Sequence, residues 1–300
     1  MTAKESAGTV ANLWRFPVKS MLGEQLESVD LTSQGILGDR RYALIDVESG
    51  KVVSAKSVRL FPNMFGCRAA YVEPPKAGRD LPPVRIGLPD GTSVTSDSND
   101  VDGVLSSFFG RRVTLAHAAP PDFTIDMYHP DIDGMGPKER QDTVVEQKLG
   151  AAYFAAAGMK SPVAPGAFFD LFPMTVLTTS TLNQLSALQP QTRFDERRFR
   201  MNLIVETKEN GFVENDWVNH ELTIGDGVKL KVVVPDSRCV MTTLPQEELP
   251  QDRDVLRTLV KHNKIQVADA GQYPCAGVYA TVKTPGILRL LDRVTVNRTN

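Results

Sequence analysis

Three hundred residues with a formal net charge of −2, 41% hydrophobic and 23% charged, describe an ordinary globular chain long enough for one large or two smaller domains. The near-neutral balance gives no footprint for nucleic acid, and no window approaches the ~20 apolar residues of a membrane span, so neither partner is expected. The opening MTAKESAGTVANLW has no apolar stretch of signal-peptide length, which makes the cytoplasm the expected compartment.

From Val10 to Val72 the chain reads as short strands separated by turns. Val10 to Phe16 is stopped by Pro17, LGEQLESVDL follows a turn at Gly23, and DRRYALID follows Gly35 and Gly38. Ser49-Gly50 turns the chain into KVVSAK, and Asp90-Gly91 turns a second hairpin in VRIGLPDGTSVT. Asp100 to Gly110 reads as a short helix with Asp100 as cap, Val101, Val104, Leu105 and Phe108 on one face and Gly110 as stop. RRVTLAH adds a strand, Ala118 to Gly136 reads as loop, Lys138 to Ala157 as helix-prone, and SPVAPG as a linker.

The second half repeats the strand-rich pattern. PMTVLTTSTLNQLSAL runs from a strand into a helix capped by Thr178, Thr179 or Ser180, and RMNLIVE, HELTIG and VKLKVVV are strands. Leu249 to His262 is a helix with acidic residues near its start and Lys261 and His262 near its end. GVYATV and DRVTV are the closing strands. The expected class is mainly β with short helices (α+β), in barrel or sandwich form.

The cysteines Cys67, Cys239 and Cys275 are odd in number and far apart, which disfavours a disulfide scaffold. With no CxxC, HExxH, GxGxxG or GxxxxGK[ST], neither a structural zinc site nor a dinucleotide or P-loop fingerprint is expected. Cys239 sits in VVVPDSRCVMTT, where Pro235 and Asp236 break an apolar run. Arg238 beside the thiol favours the thiolate, yet most isolated cysteines are small core hydrophobes, and this stretch alone reads that way. Three further clusters lie at strand ends: Pro17 to Ser20 (PVKS), Gly38 to Arg41 (GDRR), and RFDERRFRMN, with four arginines in eight positions before Asn202. Lysine, serine and arginine suit a phosphate, and the helix start at 178–180 offers amides to an anion. Any one of these clusters alone is a solvated charged turn.

In the order PVKS, GDRR, strand–TTS–helix, FRMN, SRCxxTT and GVYA, the motifs resemble the MOSC family, the molybdenum-cofactor sulfurase C-terminal domains. Within it they are most similar to stand-alone proteins of the amidoxime-reducing type. The resemblance implies an N-terminal β-barrel-like domain over about 9–118, a helical and loop connection over 119–169, and a MOSC β-barrel over about 170–298. It implies a molybdopterin cofactor, with or without a nucleotide, whose metal is bound by Cys239. Lys19, Ser20, Arg40, Thr178, Arg200, Asn202, Ser237, Arg238 and Tyr279 are the implied cofactor contacts. The implied activity is reduction of N-hydroxylated compounds such as amidoximes, hydroxylamines and N-oxides.

With no flavin or nicotinamide fingerprint and too few cysteines for an iron–sulfur cluster, a reductase of this kind needs a separate donor, cytochrome b5-like, ferredoxin-like or a flavoprotein. A cofactor or sulfur carrier without turnover is the alternative. The family's DPxTG-like loop after SRCxxTT is replaced here by LPQEELPQD. Cys275, entering a strand after a proline, reads as structural.

Overall fold

The strand expected from Val10 runs longer, Ala3–Arg15 (β1), and its partners come from the far end of the sequence. The computed structural model describes residues 3–298. β1 joins Met174–Thr178 (β2), Leu203–Glu206 (β3), Glu221–Ile224 (β4), Val228–Ser237 (β5), Gln272–Thr284 (β6) and Arg293–Arg298 (β7). The order β2-β3-β1-β7-β4-β5-β6 closes back onto β2, giving a seven-stranded barrel. Only β2–β3 is parallel.

Alternation drives the closure: Leu222 and Ile224, Leu230 and Val232, and Val294 and Val296 point inward and are buried together. Gly8 lets β1 bulge against β7. It holds φ of 149°, and a Cβ there would lie 1.8 Å from the Glu206 carbonyl oxygen.

The N-terminal half is a set of small antiparallel sheets around its own core. Arg68–Tyr71, Val84–Gly87 and Ser93–Thr95 form one, and Ala43–Asp46 with Val113–Ala116 another. Val18, Met21, Leu44, Met64, Ile86 and Leu105 are buried between them. α1 (Val101–Phe109) packs here and ends at Gly110 in the left-handed region, as expected. Its expected cap does not form: the Asp100 side chain makes no cap hydrogen bond, while Asp102 accepts from the Leu115 amide at 2.8 Å.

Three expectations are corrected. Thr124–His129 lies within the expected loop and Thr143–Lys148 within the expected helix, yet the two pair as an antiparallel hairpin. The β-branched Thr143, Val144 and Val145 and this cross-strand pairing override the helix propensity around them, leaving a 3-10 turn at Lys138–Arg140 and one α-helix, Gly150–Ala156 (α2). β5 does not stop at Pro235 but runs to Ser237, because register shifts on either side of Pro235 accommodate a residue that donates no amide. The helix expected from Leu249 begins only at Asp254 (α4, Asp254–His262; α3 is Thr179–Leu188), where Asp252 accepts from the Asp254 amide at 2.8 Å. No helix of the described residues is long and apolar enough to cross a membrane.

Candidate functional site

β1 delivers the PVKS turn, and Asp39 of GDRR ties that turn to β3. The buried Asp39 carboxylate accepts from the Phe16 amide at 2.7 Å and from Asn202 Nδ2 at 2.9 Å, and it pairs with Arg40. Asn202 is further fixed by Thr175, whose hydroxyl donates to Asn202 Oδ1 at 3.0 Å. Ser20, Arg40 and Arg200 hold φ of 64°, 48° and 55°, a left-handed conformation uncommon outside glycine. Such strain at three residues of one cluster is what functional sites store. Gly38 beside them is required, since a Cβ there would lie 2.6 Å from the Tyr71 ring.

Two guanidinium groups share one aromatic ring. Arg40 lies 4.6 Å and Arg200 4.3 Å from the Phe16 centroid. Arg200 is buried, its Nη1 donates to the Met21 carbonyl at 2.6 Å, and among the described residues no carboxylate forms an ion pair with it. Burial, then the like charge of Arg40, push its pKa down to about 9.

Cys239 closes the second side. It follows β5 with extended backbone and leads into a short turn, Val240–Thr243, where Thr242 Oγ1 donates to the Cys239 carbonyl at 3.0 Å. Val240 and Leu244 of this segment pack into the N-terminal core beside Val18 and Met21. The Cys239 thiol is free and half-buried, whereas Cys67 and Cys275 are fully buried and pushed up to about 12 by desolvation. Cys275 thus fits the structural reading. Arg238 pairs with Asp236 at 2.6 Å and donates from Nη2 to the Phe199 carbonyl at 2.5 Å, while its Nε is buried with no partner. Asp236, pushed up by burial, also accepts from Tyr279, whose ring lies 5.3 Å from that of Phe172. Ser237 pairs with Cys275 at the end of β5, and Ser20 Oγ lies 3.4 Å from Ser54 Oγ.

Asp170 links the two sides. Lys19 Nζ donates to it and, at 3.0 Å, to the Phe168 carbonyl, while Lys56 Nζ reaches the other Asp170 oxygen at 2.7 Å. Burial opposes the Lys56 charge, but Asp170 and then Cys239 outweigh it and raise its pKa; for Lys19 burial prevails and the pKa falls. Among the described residues, the ion-pair partners of Lys19, Lys56, Arg40, Arg200 and Arg238 around the site are Asp39, Asp170 and Asp236. Cations therefore outnumber carboxylates, and the site calls for an anion.

Residues 7–110 match the MOSC N-terminal β-barrel domain and residues 166–295 the MOSC domain. The chain belongs to the MOSC family. This MOSC protein is 25% identical to mitochondrial amidoxime-reducing component 1 of Mus musculus over 97% of its own chain and 82% of that protein. It is also 25% identical to mitochondrial amidoxime reducing component 2 of Homo sapiens, over 97% and 84%. The YUAD protein of Bacillus subtilis, whose crystal structure covers the whole of both chains, overlays at TM-score 0.49 and 11% identity.

Of the residues singled out in the MOSC protein's sequence, Lys19, Ser20, Arg40, Arg200, Asn202, Arg238, Cys239 and Tyr279 belong to the arrangement described, with Ser237 on its border. Thr178 does not. It caps α3 by accepting from the Thr181 amide at 3.1 Å and donates to the fully buried Glu214 at 2.6 Å. Glu214 also accepts from Thr181 and the Gly277 amide, so the Thr178 hydroxyl is consumed in holding the helix to the barrel. Thr178→Val is expected to lower unfolding free energy by about 1–2 kcal/mol in urea denaturation.

Lys56, Asp39 and Asp170 were missed. Asp170 carried a signal, a lone acid inside the apolar run FFDLF, and Asp39 stood within a cluster from which only the arginine was taken.

Proposed function

We propose that this MOSC protein binds the molybdenum cofactor with Cys239 as metal ligand and reduces N-hydroxylated compounds, amidoximes, hydroxylamines or N-oxides, with electrons from a separate donor protein. The observation that carries the reading is the half-exposed thiol of Cys239 beside a buried excess of cations. The buried Arg238 Nε without a partner and Arg200 without a carboxylate are groups that a phosphate-bearing pterin would satisfy, so the donor set fits the cofactor. When bound, the cofactor supplies two-electron oxygen-transfer chemistry at the metal.

The chain's own residues do the rest. Arg40 and Arg200 hold the phosphate, Lys19 and Ser20 bind the pterin side, and Asn202 keeps the arginine turn in place through Asp39. Lys56 and Arg238 place positive charge beside Cys239. Tyr279, whose pKa burial and Asp236 raise well above its ordinary value, keeps its proton at neutral pH and holds Asp236 in place. Three free cysteines fit a reducing cytoplasm, and the donor is a cytochrome b5-like, ferredoxin-like or flavin protein.

Reduction of an amidoxime consumes two electrons and two protons, breaks one N–O bond and releases water. Protein from a cofactor-competent host is expected to turn over benzamidoxime to benzamidine with a chemical reductant. A molybdenum-loaded protein that stays inert would sink the reductase reading in favour of a cofactor carrier. Thr178→Val is expected to keep its full molybdenum content, in contrast to changes at Cys239.

A further inference from the structure

Three of the four arginines in RFDERRFRMN have evident roles. Arg193 and Arg197 pair with Asp195 and Glu248 at the surface, and Arg200 belongs to the cation cluster. Arg198 is the exception. It ends the short turn Glu196–Arg198, it is 0% exposed, and among the described residues no carboxylate forms an ion pair with it. Burial pushes its pKa down, and Asp252 and Asp195 offset that only in part.

A buried guanidinium without a counterion is costly, so what it holds instead is informative. The side chain donates to four backbone carbonyls. Nε reaches Arg193 at 3.0 Å, Nη1 reaches Thr242 at 3.4 Å and Leu244 at 3.3 Å, and Nη2 reaches Pro250 at 2.8 Å. Leu244 opens the LPQEELPQD loop and Pro250 lies near its end, where the Asp252 amide closes the loop by donating to the Thr243 carbonyl at 2.9 Å. Arg198 thus ties this loop to the turn that follows Cys239.

Thr242 carries that hold to the thiol residue. It donates to the Cys239 carbonyl twice, from its amide at 3.2 Å and its hydroxyl at 3.0 Å, while its own carbonyl is held by Arg198. On the other flank of Cys239, Arg238 donates to the Phe199 carbonyl at 2.5 Å. The residue after Phe199 is Arg200, the buried guanidinium without a carboxylate. Three consecutive residues therefore grip Cys239 from both sides and present a cation to an anion. We propose that Arg198 is a positioning residue for Cys239, fixing the thiol relative to Arg200 so that one cofactor engages both, an inference that rests on the cofactor reading above.

The test uses the full chain from two hosts. In protein from a host without the cofactor pathway, iodoacetamide should alkylate Cys239 alone, because Cys67 and Cys275 are fully buried, and intact mass gives the rate. Arg198→Met is expected to raise that rate about tenfold while the protein keeps a cooperative melt. In protein from a cofactor-competent host, the same change is expected to lower molybdenum per chain about tenfold, the low end of the range for groups that support a ligand. Thr178→Val controls for lost stability and is expected to move neither quantity. An unchanged alkylation rate, an equal rise in Thr178→Val, or wild-type molybdenum in Arg198→Met overturns the inference. If Arg198→Met does not fold, Arg198→Lys, which keeps the charge and three donors, carries the same comparison with changes of about threefold. Wild-type protein without molybdenum overturns the cofactor reading, and the alkylation rates then decide the placement of the thiol by themselves.

Discussion

Cys239→Ala is expected to leave a folded protein with almost no molybdenum. Loss of groups that merely support a ligand lowers metal affinity about 10–100-fold, so loss of the ligand itself should exceed that range. The fold should tolerate the change because the thiol is half-buried and its segment is held by Val240 and Leu244 in the N-terminal core and by the Thr242 hydroxyl. Elemental analysis beside a thermal melt reads both quantities. Wild-type molybdenum in the variant would remove Cys239 as the ligand, and a collapsed melting transition would show a structural role instead. Cys275→Ala serves as the contrast: its thiol is fully buried, and the change should cost stability while sparing the metal.

Asp170→Asn should carry the largest stability cost among the site residues. The carboxylate joins two ammonium groups whose residues are only 4% and 5% exposed, and removing its charge leaves both without a counterion. Breaking a fully buried pair costs about 3–5 kcal/mol; because the Asp170 side chain keeps 32% of its surface accessible, about 3 kcal/mol at pH 7 is expected. The pH dependence has a definite sign. Burial alone would raise the Asp170 pKa, but Lys19 and Lys56 hold it well below the usual carboxylate range. Its contribution is therefore complete above the unfolded value of about 4 and is lost as pH falls below that. Urea titrations of both proteins should show the gap between them narrowing below about pH 4. A gap that stays constant into acid would mean that Asp170 acts through shape rather than charge.

Much of the site was legible because its groups cluster in sequence at strand ends. PVKS, GDRR, FRMN and SRC each carry several polar groups within a few residues, and their order along the chain gave the resemblance. Asp170 escaped as a single charge in an otherwise apolar stretch and Lys56 as one of several ordinary polar residues in KVVSAKSVR, and the meaning of each lies in a partner 114 residues away. Thr178 stands apart from the cluster: a hydroxyl at a strand-to-helix turn suits an anion and a helix cap equally, and the buried Glu214 to which it donates is far along the sequence. The segment 138–157 misled because alanine, lysine and glutamine favour helix locally, whereas pairing with Thr124–His129 fixed six of its residues as strand.

The placement of β1 in the barrel has a consequence for how the protein is made. Ala3 pairs with Arg298 and Leu13 with Leu203, so β1 has neither barrel neighbour until the chain some 190 to 295 residues further on has been made. PVKS hangs from the end of that strand, and the Cys239 segment packs on the core around it. Such long-range pairing is slow and leaves unpaired strand edges open to misassociation while synthesis continues. Neither half of the molecule can complete its share of the cation cluster alone. An anion that uses the whole cluster therefore meets a complete set of cations only once these distant segments of the chain have come together.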